Sequence, residues 1–196
     1  MDYFETLGLE RRLRLDVSAL QRRFYELSRR THPDFHQSAP AAEQTRILET
    51  SALLNAAYRT LRDPVARADY LVRLEEGRTT REGDTQKPKA PPALLREMFE
   101  IQEALAEART GALDDAARAT LTAERDSLHS RFRDVEARVA GELADAWDAA
   151  SPEARPRALA AIKEALATRA YLKTVLEDLS EALDGDREAY VANRRD

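Results

Sequence analysis

Cysteine is absent from all 196 residues, which excludes disulfides and leaves no thiolate for zinc or for an iron–sulfur cluster held by this chain. Such a composition fits the reducing cytosol. Glycine is scarce, at six residues, which argues against a turn-rich sandwich or a low-complexity chain. Positive charge is not in excess either. The formal net charge is −5 and the pI about 5.4, so bulk charge gives no reason to expect nucleic acid as a partner. No apolar run approaches the roughly 20 residues needed to span a bilayer. The opening Met1-Asp2-Tyr3-Phe4-Glu5 has no basic segment leading into an apolar one, so no secretory signal is expected. These absences describe a soluble, cytoplasmic protein without a membrane partner.

Alanine, leucine, glutamate and arginine, all good helix formers, fill the space those absences leave. Hydrophobic residues at 43% beside charged residues at 34% suit amphipathic helices, and the fold class expected is all-α. The clearest interruption is Gly77 to Pro92, GRTTREGDTQKPKAPP, with two glycines and three prolines. It reads as a linker. The expected organisation is therefore an N-terminal module over 1–76, a linker over 77–92, a C-terminal helical module over 93–184 and a polar tail over 185–196.

In the first module, Asp16 or Ser18 caps a helix running to about Thr31. Leu20, Phe24 and Leu27 share one face, and at about 100° per residue Arg22, Arg23, Arg29 and Arg30 fall on the other side with Glu26. Pro33 ends the helix by pushing its predecessor out of the α region. After a polar loop, Ile47, Ser51, Leu54, Tyr58 and Leu61 mark one stripe of a second long helix, so the two form a hairpin. Asp63-Pro64 supplies a cap and a first-turn proline for another helix, with Val65, Ala68, Leu71 and Leu74 inward.

The second module reads as a three-helix bundle. Leu94, Met98, Ile101 and Leu105 stripe its first helix. The second runs from about Asp114 to Ala149 and carries Leu121, Leu128, Phe132, Val135, Val139, Leu143 and Trp147, the last as a bundle core residue. Ser151-Pro152-Glu153 signals the start of the third, with Leu159, Ile162, Leu166, Leu172, Leu176, Leu179 and Leu183 apolar.

The residues with chemical potential gather at His32-Pro33-Asp34. A proline at the end of a basic helix holds an imidazole and a carboxylate outward on a rigid corner. The carboxylate can pair with a partner's arginine, and the arginine face can steer an acidic surface. A bare helix stop beside a solvated basic face is the structural alternative. Tyr25, at the edge of that face, is expected to pack. A second alternative takes His32, Asp34 and His36 as an H-x-D-x-H metal cluster of a small helical metalloenzyme. The alternating spacing suits a strand better than a loop, and His129 is the one other histidine. No metal, cofactor or catalytic residue is expected.

His-Pro-Asp after an arginine-rich amphipathic helix resembles a J domain, which implies a helical hairpin with flanking helices. Met1-Asp2-Tyr3-Phe4, Leu7-Gly8-Leu9, Asn55, Tyr58, Leu61-Arg62, Pro64, Arg67-Ala68 and Tyr70-Leu71 are similar to the HscB family, a likeness covering nearly the whole chain. The resemblance implies a co-chaperone, not an enzyme, that stimulates ATP hydrolysis by a DnaK/HscA-class chaperone and delivers the iron–sulfur scaffold IscU to it. His32, Pro33, Asp34, Arg22, Arg23, Arg29 and Arg30 would meet the chaperone.

On the helix after Pro92, Leu95 and Phe99 lie about 100–140° from the apolar stripe, edged by glutamates, as a docking patch would be. A wider buried stripe is the alternative. In the family the matching scaffold-binding positions are Leu95, Phe99, Glu100, Glu103, Glu107 and Tyr171. Arg96 departs from the apolar residue the family pattern implies. Tyr171, beside Leu172, equally suits a core edge. A J protein of general folding is the near alternative, against which stands the lack of a Gly/Phe-rich segment and of CxxC motifs. A passive adaptor with a degenerate J domain is a third.

Overall fold

The computed structural model describes residues 1–32, 38, 40–77, 99, 101, 103, 106 and 114–193, with 185–193 as backbone alone. Its elements are helical throughout. Helix α1 spans Tyr3–Leu7, α2 Val17–Arg30, α3 Ala41–Arg62 and α4 Pro64–Glu75. Helix α5 spans Asp115–Arg138 and passes through a π-helical turn at Val139–Leu143 into α6, Ala144–Asp148. Helix α7 spans Arg155–Asn193.

Local chemistry fixes the ends of these helices. The Asp2 carboxylate accepts the Glu5 N–H at 2.9 Å while Glu5 accepts the Asp2 N–H at 2.9 Å, a reciprocal cap that starts α1. Gly8 closes the same helix at φ 66°, a left-handed conformation that glycine adopts without strain. A β-carbon there would also lie 3.2 Å from the Arg23 guanidinium. Asp16 caps α2 by accepting the Ser18 and Ala19 N–H groups at 2.8 and 3.1 Å. Asp63 caps α4 through the Ala66 N–H at 2.7 Å, with Pro64 at the first helical position, as the sequence predicts.

Two compact units emerge. One gathers Met1–Arg81 with Val139–Ile162, the other Glu82–Arg138 with Lys163–Asp196. This differs from the division expected at the linker, because the stretch around α6 belongs with the N-terminal helices. In the first unit α1, α2 and α4 pack on α3, and α4 also meets the π turn. Phe4, Leu7, Leu20, Leu54, Ala57, Leu61, Ala68 and Leu71 form much of the core. Phe24 stacks on Tyr58 at 4.2 Å and Tyr3 on Tyr70 at 4.3 Å. Helix α4 is buried on more than the expected stripe: Arg67, Tyr70 and Val72 are inside, while Val65 and Leu74 are half-buried. Trp147, expected in the bundle core, is buried in this unit instead.

In the second unit, Ile101, Leu121, Leu128, Leu172, Val175, Leu176, Leu179 and Leu183 form one apolar cluster. The Arg169 guanidinium donates to Glu136 at 2.8 Å and lies 4.9 Å from the Phe132 ring centroid. Residues 151–154 make a turn, so α7 starts at Arg155 rather than at the Ser151-Pro152-Glu153 signal. The Ser151 carbonyl accepts the Ala154 and Arg155 N–H groups at 2.9 and 3.0 Å. The expected tail is also shorter, since α7 continues across Gly185 to Asn193. Leu94, Met98 and Leu105 lie outside the described residues.

Candidate functional site

Helix α2 presents the basic face. Arg22, Arg23, Arg29 and Arg30 are all exposed, while the opposite side sends Leu20 into the core. The seven-residue spacing of Arg22 with Arg29, and of Arg23 with Arg30, stacks them in two adjoining strips two turns long. Arg29 and Arg30 sit in the last turn, where their charge complements the negative end of the helix dipole. Arg23 is tied back to the fold. It donates to the Leu7 carbonyl at 3.3 Å and pairs with Glu26 at 3.3 Å, which ties the strip to the end of α1.

Thr31 ends α2, its N–H and hydroxyl both donating to the Leu27 carbonyl at 3.1 Å. His32 follows and is exposed. Together with Tyr25, Ser28 and Arg29 it lines a shallow groove of about 370 Å³. Tyr25, expected to pack, is 55% exposed instead. Its ring meets Phe24 at 5.7 Å on one side and forms a wall of the groove on the other. Helical spacing alone could have found it: Tyr25 stands between Arg22 and Arg29 on the same strip. Pro33, Asp34 and His36 lie outside the described residues, so neither the loop geometry nor the H-x-D-x-H cluster is described.

The second candidate surface belongs to the other unit. Phe99 is 74% exposed, whereas Ile101 is buried in the apolar cluster. Glu103, one turn beyond Phe99, is exposed as well. A phenylalanine facing outward while its neighbour two residues on fills the core is an uncommon use of a large apolar side chain. Tyr171 is half-buried and packs against the cluster, the core-edge position its neighbour Leu172 suggests. Leu95, Arg96, Glu100 and Glu107 lie outside the described residues. None of the described helices is long and apolar enough to cross a membrane.

Sequence reasoning missed a set of groups in the first unit. The Asp148 carboxylate accepts the Leu13 and Arg14 N–H groups, each at 2.8 Å. Arg14 forms a two-pronged pair with Asp145 at 2.6 and 3.0 Å and reaches the Ala140 carbonyl at 3.3 Å. No local pattern marks these residues, because the partners lie 126 to 135 positions apart.

The DnaJ domain family matches residues 2–70. The chain is 35% identical over 147 residues to the co-chaperone protein HscB homolog of Azoarcus sp. (strain BH72), covering 75% of this chain and 77% of that one. It is 36% identical over 146 residues to the iron–sulfur cluster co-chaperone protein HscB of Mus musculus, covering 72% of this chain and 61% of the mouse protein. Among solved structures, chaperone HscB from Vibrio cholerae matches with a TM-score of 0.61 and 25% identity, over 94% of this chain and 99% of that one. Human co-chaperone protein HscB matches with a TM-score of 0.59 and 26% identity, over 92% and 81%. With a DnaJ domain over residues 2–70 and these likenesses in sequence and in structure, the chain belongs to the HscB family of J-domain co-chaperones.

Proposed function

We propose that this protein stimulates ATP hydrolysis by a DnaK/HscA-class chaperone and delivers an IscU-type iron–sulfur scaffold to it in the cytoplasm, with no catalytic step of its own. The observation that carries the reading is the α2 face: four exposed arginines leading directly to an exposed His32, with Pro33 and Asp34 next in the chain. Such a strip attracts an acidic chaperone surface over a distance, speeding association in a salt-dependent way. Asp34 then supplies a carboxylate for a charge-assisted bond. The J function resides in 1–76 and the scaffold-binding function in the part of 93–184 that belongs to the second unit.

Scaffold binding rests on Phe99, Glu103 and the neighbouring Leu95, Glu100 and Glu107, with Tyr171 at the edge. An exposed aromatic ring one helical turn from an exposed glutamate has the make-up of an interface anchor with a polar rim. Holding chaperone and scaffold on one chain raises their effective concentration toward each other. The iron–sulfur cluster stays on the scaffold, since this chain has no cysteine.

Single-turnover ATP hydrolysis by the chaperone, with scaffold present, tests this reading. Wild-type chain accelerates turnover, and His32→Gln, shown to be folded by circular dichroism, does not. A folded wild type that leaves a competent chaperone at its basal rate would overturn the proposal.

A further inference from the structure

The J module's arginine helix is preceded by the loop Gly8–Asp16, and that loop is anchored at three points. At its start, Arg23 donates to the Leu7 carbonyl. At its end, Asp16 caps α2. Between them, the consecutive N–H groups of Leu13 and Arg14 converge on one carboxylate, that of Asp148. The Leu13 side chain is buried just there, so the loop is pinned by both its backbone and its apolar residue.

Asp148 differs from its neighbours in burial. Its side chain is 6% exposed, whereas the Arg14–Asp145 pair is more than half exposed on both sides. An exposed ion pair is screened and contributes little, but a buried carboxylate taking two backbone N–H bonds is hard to replace with water. The same carboxylate stands 3.8 Å from the Arg12 guanidinium. Arg67, on α4, is only 4% exposed. It donates to the Leu61 carbonyl, and its Nε has no hydrogen-bond partner among the described residues. Burial pushes the Arg67 guanidinium below its ordinary value, and the charges of Asp63 and Asp148 oppose that loss.

We infer that Asp148 is a positioning residue for the chaperone-docking face: by holding the Leu13 and Arg14 N–H groups, it sets the loop from which the α2 arginine strip is launched. The J module of this chain is then built from two pieces distant in sequence, and the second piece comes from the region expected to serve the scaffold. This inference rests on the docking role given to α2.

The test uses the full chain with Asp148→Ala and, as the variant safest for folding, Asp148→Asn. Amide hydrogen exchange is read at Leu13 and Arg14, with Ser18 and Ala19 as internal controls because Asp16 holds those two. Loss of a bond to a charged acceptor predicts exchange about tenfold faster at Leu13 and Arg14 in Asp148→Ala. Ser18 and Ala19 stay at wild-type rates, whereas general destabilisation would speed all four alike. In the chaperone assay, the concentration of variant needed for half-maximal stimulation rises severalfold while the maximum is retained, unlike the loss of maximum expected for His32→Gln. Unchanged exchange at Leu13 and Arg14 would overturn the inference, as would faster exchange there with unaltered half-saturation. If both variants exchange uniformly faster at all four amides, Asp148 is a general stability residue and the positioning role is refuted. A wild type that never stimulates the chaperone refutes the proposed function and, with it, the docking part of this inference, whereas the exchange pattern, read without the chaperone, still decides whether Asp148 holds the loop.

Discussion

Replacing Phe99 with alanine separates binding from folding, because the ring is exposed in the folded protein. The ring is 74% exposed, so an aromatic side chain of roughly 200 Å² offers about 150 Å² to a partner. At ~25 cal/mol per Å², full burial of that area is worth up to about 4 kcal/mol. Ordering the side chain and desolvating the glutamates nearby reduce the yield, which leaves about 2–3 kcal/mol, in the range of interface anchors. Affinity for the scaffold is therefore expected to fall about 30- to 150-fold. The folded protein should lose no more than ~0.5 kcal/mol, as for other surface substitutions. Isothermal titration calorimetry with the scaffold gives the first quantity and a urea melt gives the second. Unaltered scaffold affinity in a folded Phe99→Ala protein would refute the reasoning. A large loss of stability would refute it differently, by showing that the ring packs rather than docks.

Two further outcomes follow from the cores and the titrating groups. Leu179 is fully buried in the apolar cluster of the second unit, so Leu179→Ala should destabilise that unit by ~2–5 kcal/mol, read from its urea transition. Tyr70 is buried and its hydroxyl accepts the Tyr3 N–H at 2.9 Å; burial raises its pKa in the folded state. The native state thus holds the phenolic proton longer than the unfolded chain does, and stability should decline as pH rises past about 10. Tyr70→Phe should flatten that alkaline decline while lowering stability near neutrality, and identical alkaline slopes in the two proteins would contradict it.

Features governed by neighbours a few residues apart were legible in the sequence. Asp16 and Asp63 cap the helices they were expected to cap, and Leu20, Leu54, Leu61, Leu121 and Leu128 are buried where the helical period puts them. The basic strip of α2 was legible for the same reason. Helix α1 was not individually placed, since five residues carry too little periodicity; its signal was the pairing of Asp2 with Glu5 ahead of Gly8. The Ser151-Pro152-Glu153 signal was placed too early because three turn residues intervene before Arg155. Arg67 shows the limit most clearly. A charge on α4 reads as solvent-facing, yet it is buried beside Leu61 with the charge of Asp148 at work on it. Asp148 and Asp145 are ordinary helix carboxylates by pattern, and only the fold brings them to Leu13 and Arg14.

The two-piece construction of the first unit sets a timetable for synthesis. Leu13 and Asp148 are separated by 135 positions, and the second piece runs from Val139 to Ile162. At ~5–20 residues per second, the ribosome needs about 4–16 s to go from the end of the first piece to the end of the second. Throughout that interval α2 is already outside the ribosome with its arginines, while Asp148 has not emerged to take the Leu13 and Arg14 N–H groups. Closing so long a loop also carries an entropic penalty of ~4 kcal/mol beyond the constant term, which only the finished set of contacts repays. A nascent chain halted before residue 139 therefore carries the basic helix on a loop that lacks one of its three anchors, and the last step in making the N-terminal unit is the arrival of residues from the far side of the chain.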